Sequence, residues 1–211
     1  MTDFEALKAA VIKGDRNKVT AMVQAAIDGK EDINAILDRG MIPAMREIGD
    51  KFSRNEAYVP ELLIAARAMQ AGLALLEPLI AASGRKSLGK VAIGTVKGDL
   101  HDIGKNLVKM MLEGKGLTVI DLGVDVPAEK FVSAAVENNA QLICCSALLT
   151  TTMGEMKSVV EEADKQGIRD KVKILVGGAP VTQSFCDSIG ADGYTADAAS
   201  CADMALSFCQ A

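Results

Sequence analysis

Apolar residues recur at helical spacing through residues 1–83. The segment from Ile33 to Phe52 carries an apolar stripe, and the segment that begins at Pro60 repeats apolar residues at alternating steps of four and three. This second stripe consists of Leu62, Ala66, Met69, Leu73, Leu76 and Ile80. Such a stripe is typical of the seam of an antiparallel bundle, so the pattern predicts four helices packed as a four-helix bundle.

Several residues predict where these helices begin and break. Thr2 and Glu5 match the capping-box pattern at the start of the first helix, and Asp15 is placed to cap the second. Pro43 has no backbone N–H, so we expect a kink or break near residues 39–43.

The pattern changes after the stretch AASGRKSLGK (81–90), in which we predict a linker over residues 84–90. Short apolar runs follow, and they are VAIGTV (91–96), LTVIDLG (117–123), QLICCSA (141–147), KILVGG (173–178) and the pair Gly193–Tyr194. Apolar runs without alternation favour strands buried on both faces, as in a parallel sheet covered by helices. The prediction for residues 91–211 is an α/β domain with a flavodoxin-like (Rossmann-like) five-stranded parallel sheet.

Composition narrows the function classes. Hydrophobic residues make up 49% of the 211 residues and charged residues 24%, which is typical of a globular protein. The formal net charge of −5 argues against nucleic acid as a partner, and the 3% aromatic content without Trp argues against a base-stacking surface.

The sequence also predicts a location. The N-terminus MTDFEALKAA lacks the basic start and apolar core of a signal peptide, and the longest charge-free run (138–154) is too polar to span a bilayer. The five cysteines show no C-x-x-C spacing and fit reduced thiols, and we interpret Cys144 and Cys145 as core residues of a buried strand. We therefore expect a cytoplasmic protein without a membrane partner.

The predicted sheet indicates where a ligand binds. In a flavodoxin-like order, ligands bind at the carboxyl ends of the strands, where the first and third strands lie side by side. Here the first strand leads into KGDLHDIGKN (97–106) and the third into SALLTTTMG (146–154), and the only histidine, His101, lies in the first of these loops.

Three familiar sites are excluded by particular residues. The spacing from Gly98 to Gly104 is one residue too long for a P-loop, and Asn106 stands where that loop needs a hydroxyl. The dinucleotide fingerprint G-x-G-x-x-G is absent. A phospho-receiver needs an aspartate at the end of the third strand, where this chain has Ser146.

What remains is a histidine flanked by carboxylates. A histidine binds a metal through one ring nitrogen when a carboxylate holds the other, and Asp99 can supply that carboxylate. Gly104 lets the backbone pass close to a bulky planar ligand. A single histidine cannot hold zinc, but it suffices for a metal that a macrocycle already binds through four equatorial nitrogens.

Three motifs then carry a resemblance. D-x-H-x-x-G (99–104), S-x-L from Ser146 and the Gly177-Gly178 pair each follow the expected strand. Together they resemble the cobalamin-binding module of methionine synthase and the corrinoid methyl-carrier proteins of methanol, methylamine and O-demethylase-type methyltransferase systems. The segments DLGVDVPAEK (121–130) and FSRNEAYVPELL (52–63) are similar to the same family, the second to its helical cap.

The resemblance implies that this chain binds cobalamin or a related corrinoid in the base-off/His-on form. It makes His101 the lower axial ligand of the cobalt and Asp99 the partner of that histidine. It also implies that Leu100, Asp102 and Gly104 contact the cofactor.

The resemblance further assigns a pocket for the dimethylbenzimidazole tail of the cofactor. Ser146 hydrogen-bonds the buried base, and Leu148 lines the pocket. Gly177 and Gly178 let the nucleotide lie against bare backbone, and Thr150 adds a polar contact.

Two further sets of contacts are implied. Thr152 stands where methionine synthase has a serine linked to the motif aspartate. In the cap, Phe52, Tyr58, Val59 and Leu62 match residues that cover the upper face of the corrin and shield the methyl group.

The function implied is that of a methyl carrier that is not catalytic alone. A donor-specific methyltransferase passes a methyl group to cob(I)alamin, and a corrinoid:acceptor methyltransferase passes it on to tetrahydrofolate or a thiol coenzyme. A reductive activase is the third expected partner.

The alternative is a cobalamin-dependent sensor or regulatory module, which needs an output segment that the sequence does not offer. Another candidate, the cobalamin-binding subunit of an adenosylcobalamin mutase, lacks the helical region predicted here. The methyl donor stays open at this point.

Overall fold

The computed structural model describes residues 2–83 and 87–210. The chain divides into two compact units, Met1–Lys86 and Ser87–Ala211. Residues 84–86 of the predicted linker lie outside the described residues, and Lys90 already begins the first strand. In the segment from Ser87 to Gly89, the hydroxyl of Ser87 donates to the Gly89 carbonyl over 2.6 Å and lies 2.9 Å from the Thr118 hydroxyl oxygen. The start of the second unit is thus fixed to the edge of its own sheet.

Helices make up the described part of the first unit. In chain order they are α1 (Phe4–Ile12), α2 (Arg16–Asp28), α3 (Ile33–Ala35), a π-helical segment (Ile36–Met41), α4 (Ile42–Ser53) and α5 (Val59–Ser83). Because α3, the π-helical segment and α4 run on without a break, the described residues form the predicted bundle of four helices.

The first helix begins differently from the prediction. Asp3 is the N-cap of α1, with its Oδ1 accepting from Ala6 N over 2.9 Å, so the capping box of Thr2 and Glu5 is wrong. An aspartate is a strong cap, and its charge also favours the positive end of the helix dipole. The predicted cap of α2 is confirmed, because Asp15 Oδ1 accepts from Lys18 N over 3.0 Å.

The predicted irregularity near residues 39–43 takes the form of the π-helical segment. A proline ring clashes with the carbonyl four residues earlier, which is Arg39 for Pro43, and a widened turn there accommodates the ring. Gly40 lies in the same turn, where a Cβ would come within 2.6 Å of Leu7 Cδ2, so the missing side chain lets α1 pack closely.

The last helix of this unit is unusually apolar. Its segment Val59–Ile80 is, within the described residues, long and apolar enough to cross a membrane by length and composition. A core helix of a bundle passes the same test, and Leu62, Met69 and Leu76 on α5 are buried. The helix packs mainly against α2 and also against α1 and α4.

The second unit contains one parallel sheet in the order β2-β1-β3-β4-β5, as predicted. The strands are β1 (Lys90–Thr95), β2 (Thr118–Asp121), β3 (Leu142–Ser146), β4 (Lys173–Gly177) and β5 (Gly193–Tyr194). Between and after them run α6 (Ile103–Gly114), α7 (Ala128–Asn138), α8 (Gly154–Lys165), α9 (Gln183–Ile189) and α10 (Ala198–Gln210). The β1, β3 and β4 strands are buried over nearly their whole length, which explains their unbroken apolar sequence.

The helices cover the sheet in two layers, α6 with α10 and α7 with α8. Cys145 belongs to the hydrophobic core that α7 and α8 share with the sheet, together with Phe131. Cys144 instead contacts Cys201 of α10 through a thiol hydrogen bond, which together with burial raises the pKa of the Cys144 thiol. Burial also raises the pKa of Cys145, so the interpretation of both cysteines as core residues is confirmed.

Candidate functional site

Two loops meet at the carboxyl edge of the sheet. Since β1 and β3 are neighbours, with Thr95 opposite Ser146, the loops that follow them start side by side. Val96 N donates to the Ser146 carbonyl over 3.0 Å, which continues the pairing one residue beyond β1. The sequence therefore located this pair of loops correctly.

Asp99 joins the two loops. Its side chain has no exposed surface. One carboxylate oxygen, Oδ1, accepts from the backbone N–H of His101 over 3.0 Å and lies 2.7 Å from His101 Nδ1. The other, Oδ2, accepts from Leu148 N over 2.8 Å, Leu149 N over 3.2 Å and the Thr152 hydroxyl over 2.9 Å.

These contacts fix the charge of Asp99. Burial alone raises the pKa of the Asp99 carboxyl, but the hydrogen bonds from His101 and from the N–H groups of Leu148 and Leu149 outweigh it and hold the pKa well below its usual range. The carboxylate is therefore ionised at physiological pH and can only accept hydrogen bonds.

The charge of Asp99 in turn fixes the tautomer of His101. Because the ionised carboxylate only accepts, Nδ1 of His101 donates to Asp99, which leaves the lone pair of the neutral ring on Nε2. The His101 side chain is 50% exposed. A half-exposed imidazole with its tautomer fixed by a carboxylate is the arrangement of a histidine that binds a metal through Nε2.

Thr152 completes the network. Its side chain is nearly buried, and its hydroxyl oxygen lies 2.9 Å from both Asp99 Oδ2 and the Leu149 carbonyl oxygen. A hydroxyl has one proton, so it donates to one of these acceptors at a time. The structure thus brings Thr152 to the aspartate, as the resemblance implied.

Large apolar side chains are exposed around this network. Leu100 is 71% exposed, Ile103 73%, Leu148 45% and Leu149 41%. Exposed apolar side chains on two adjacent loops indicate a binding site for an apolar partner or ligand. The sequence had singled out Leu100 and Leu148, and it missed Ile103 and Leu149 in the same loops.

Two glycines at this edge have free space beside them. A Cβ added to Gly104 or Gly177 would meet no atom within 4 Å, and neither residue has a left-handed φ. Neither packing nor backbone conformation within the described chain therefore demands a glycine at these positions. Free space beside bare backbone is what a bulky ligand needs, so both positions fit the corrinoid and its nucleotide.

Gly178 differs from its neighbour. Its φ of +137° strains any residue with a side chain, and a Cβ there would overlap the carbonyl oxygen of Ala147. The chain itself requires this glycine, so its contact with the nucleotide stays a prediction.

Three other predicted residues lie at the same edge. Ser146 ends β3 opposite Gly177, is partly buried, and makes no side-chain hydrogen bond to any part of the chain that the structure describes. Thr150 is exposed in the loop after β3. Asp102 precedes α6, and its Oδ2 accepts from Asn106 Nδ2 over 3.1 Å. The free hydroxyl of Ser146 is the donor or acceptor that a ligand in this space can use.

The predicted cap residues differ in exposure. Tyr58 is 71% exposed and Val59 36% exposed at the start of α5, and Phe52 near the end of α4 is partly buried. Leu62 has no exposed surface and belongs to the buried stripe of α5, which argues against its predicted contact with the corrin.

The sequence assigned no role to Asp121, which ends β2, or to Asp125, which lies in the loop after it. Asp121 accepts from Lys105 Nζ over 2.6 Å and from Lys109 Nζ over 3.2 Å, although the Lys105 side chain is only 3% exposed. Asp125 Oδ1 accepts from Gly98 N in the histidine loop over 2.7 Å. Both aspartates lie in the segment DLGVDVPAEK (121–130), which resembles the family, but the resemblance assigned no role to either residue.

No cluster of three or more His, Cys, Asp or Glu side chains that could hold a metal ion occurs in the described parts of the chain. A metal bound to His101 Nε2 can take its other ligands from a cofactor. A corrinoid supplies such ligands, and the apolar surface, the free space at Gly104 and Gly177 and the hydroxyl of Ser146 fit its ring and tail.

Comparisons with known proteins agree with this geometry. Residues 89–202 match a family model described as a B12 binding domain, and residues 3–77 match a second model with the same description. A corrinoid protein of Desulfitobacterium hafniense (strain Y51) is 41% identical, with 97% of this chain and 96% of that protein covered. The dimethylamine corrinoid protein of Methanosarcina barkeri is 44% identical, with 92% of each chain covered.

A solved structure gives the same result for the fold. The methanol:cobalamin methyltransferase complex of Methanosarcina barkeri contains a chain that aligns with a TM-score of 0.86 and 30% identity, covering 97% of this chain and 78% of that one. The predicted fold class and the corrinoid cofactor are confirmed. The chain belongs to the B12-binding corrinoid proteins, as its three motifs had indicated.

Proposed function

We propose that this protein carries a methyl group between two methyltransferases, with the corrinoid bound base-off and His101 Nε2 as the lower axial cobalt ligand. The observation that carries the proposal is the buried, ionised Asp99, which accepts from His101 Nδ1 and leaves Nε2 as the basic nitrogen. When bound, a corrinoid would supply the methyl-transfer chemistry at its cobalt, and this chain would supply the imidazole that holds it.

The residues around His101 then regulate how strongly it binds the metal. When Nε2 is bound, Asp99 increases the basicity of the imidazole through the Nδ1 hydrogen bond. The Thr152 hydroxyl can rotate to donate either to the Leu149 carbonyl or to Asp99 Oδ2, which changes the number of hydrogen bonds that the carboxylate accepts.

We assign the tail of the corrinoid to the edge formed by β3 and β4. The free hydroxyl of Ser146 can bond the base, and the open space at Gly177 can receive the nucleotide. Leu148 supplies apolar surface beside them, and Thr150 a polar contact. Tyr58 is 71% exposed, and its contact with the corrin, which the resemblance implies, stays a prediction.

The expected partners follow from the carrier role. Relatives are named for dimethylamine and trimethylamine, and the aligned solved complex is named for methanol, so small methylated compounds are the proposed donor class. A donor-specific methyltransferase, a corrinoid:acceptor methyltransferase and a reductive activase complete the system. We place it in the cytoplasm, where reductants for cob(I)alamin are available.

Reconstitution with hydroxocobalamin tests the proposal. The wild type and the surface control Gln183→Ala should give the same absorption bands, whereas His101→Ala should bind the cofactor with the bands of a cobalt that lacks nitrogen coordination. After reduction, a matching methyltransferase with its donor should methylate the wild-type protein. Identical spectra for wild type and His101→Ala would contradict the ligand assignment, and failure to take methyl from any member of a methanol and methylamine panel would contradict the carrier role.

A further inference from the structure

The loop that carries His101 is held from two sides. Asp99 connects it to the loop after β3, as described above. On its other side runs the loop between β2 and α7, in which Val126 N donates to the Thr95 carbonyl and Thr95 N donates to the Gly123 carbonyl, both over 3.0 Å. A parallel bridge between Val96 and Val126 continues this pairing.

Asp125 makes the contacts that reach furthest into the histidine loop. Its Oδ1 accepts from Gly98 N over 2.7 Å, and its own N–H donates to the Asp99 carbonyl over 3.0 Å. Asp125 thus bonds to Gly98 and to Asp99, the two residues just before Leu100. Because the acceptor is a carboxylate, the bond from Gly98 is charge-assisted and short.

The backbone of Asp125 has a left-handed conformation. Its φ is +53°, in the left-handed region that residues other than glycine, asparagine and aspartate rarely adopt. Gly98, its partner, also has a left-handed φ of +79°. Two left-handed residues facing each other across one hydrogen bond define the bend that turns the chain from β1 toward His101.

We infer that Asp125 is a positioning residue for His101. It fixes the start of the histidine loop, so that the Asp99–His101 pair holds Nε2 at one place whether or not the nitrogen is bound to cobalt. The inference rests on the proposed role of His101 as ligand. It adds a residue outside the D-x-H-x-x-G motif that sets how completely the histidine coordinates.

Two substitutions separate the side-chain bond from the backbone conformation. Asp125→Asn keeps a left-handed residue with an oxygen acceptor, whereas Asp125→Gly keeps the backbone but removes the acceptor. Asn139→Gly is the matched control, because Asn139 has a φ of +51° at the end of α7, away from the site.

The first measurement is amide hydrogen exchange of residues 97–104 in the protein without cofactor. Asp125→Gly should speed this exchange roughly 3- to 10-fold, the range that one lost hydrogen bond gives. Asp125→Asn, which keeps a neutral acceptor, should speed it less than Asp125→Gly, and Asn139→Gly should match the wild type. Unchanged exchange in Asp125→Gly overturns the inference, because the loop would then not depend on this side chain.

The second measurement is the electron paramagnetic resonance spectrum of each variant loaded with cob(II)alamin, in which nitrogen coordination splits the cobalt lines. Asp125→Gly should lower the ratio of nitrogen-coordinated to uncoordinated cobalt roughly 3- to 10-fold, and Asp125→Asn should lower it less. Faster exchange with an unchanged ratio overturns the positioning role. Absence of nitrogen splitting in the wild type overturns the proposed function instead, so the two failures are distinguishable.

Discussion

The carboxyl ends of β1 and β4 lie on the same edge of the sheet, separated only by β3, and they are built in opposite ways. After β1, the buried carboxylate of Asp99 accepts hydrogen bonds from its own loop and from the loop after β3, and it orients one imidazole. At the end of β4, Gly177 offers no side chain and nothing fills the space beside it. Directional bonds at one end fix a single ligand atom, and empty space at the other leaves room for a large ligand.

The adjacent glycines at the end of β4 give the largest expected effect. Gly178→Ala should lower the free energy of unfolding by about 3 kcal/mol, because a Cβ would overlap the Ala147 carbonyl at a left-handed φ. Urea unfolding of the protein without cofactor measures this.

Gly177→Ala is the matched variant, since its Cβ enters open space. It should leave the free energy of unfolding within about 0.5 kcal/mol of wild type. It should weaken cobalamin binding by about 1–3 kcal/mol, roughly 5- to 150-fold, because the ligand has to share that space with a methyl group. Equal cobalamin affinities would show that the nucleotide does not lie at Gly177.

The corresponding test at the end of β1 compares the two aspartates beside His101. Asp99→Asn should lower the free energy of unfolding by about 2 kcal/mol, because an amide cannot accept all the hydrogen bonds that the carboxylate accepts. Asp102→Asn should change it by less than about 0.5 kcal/mol, since Asp102 is exposed and accepts from Asn106 alone in the described structure. Equal losses in the two variants would contradict the central place given to Asp99.

The pH dependence of stability follows from the same carboxylate. Since the folded-state pKa of Asp99 lies well below its unfolded value, the stabilisation is complete above the ordinary carboxyl pKa of about 4 and is lost as the pH falls through the folded pKa. The difference in unfolding free energy between wild type and Asp99→Asn should therefore stay constant down to about pH 5 and shrink as the pH falls from about 5 to about 3. A difference that stays constant over this range would mean that the pKa of Asp99 is not lowered.

Thr152 gives the smallest expected effect. Thr152→Val keeps the shape but removes the hydroxyl, which should cost about 1 kcal/mol of unfolding free energy through the lost bond to Asp99 Oδ2. Thr152→Ser, which keeps the hydroxyl, should stay closer to wild type. If Thr152→Val and Thr152→Ser behave alike, the hydroxyl does not support the carboxylate.

The strands and the place of the site could be predicted from the sequence because both depend on strong local patterns. Unbroken apolar runs mark the buried strands, and the position of a loop after β1 or β3 follows from the strand order. The cap of α1 was predicted wrongly because Thr2 and Asp3 are adjacent and both suit the role, and only the geometry selects Asp3.

Other features depend on three-dimensional detail that the pattern does not carry. Gly177 and Gly178 are the same residue type in the sequence. In the structure, Gly177 faces open space, whereas the backbone conformation at Gly178 requires a glycine. The role of Asp125 depends on a left-handed φ and on which amide lies opposite its carboxylate. Leu62 lies on the helical stripe that packs the bundle. That stripe indicated burial, whereas the resemblance implied a contact with the corrin.

Isotope labelling of the single histidine tests the central claim most directly. Because His101 is the only histidine, growth with ¹⁵N-labelled histidine labels one imidazole in the whole chain. In the electron paramagnetic resonance spectrum of the cob(II)alamin-loaded protein, coordination by His101 predicts that the nitrogen triplet on each cobalt line becomes a doublet. A triplet that survives the labelling would mean that the nitrogen belongs to the corrinoid's own base, and the account of His101 as the cobalt ligand would be wrong.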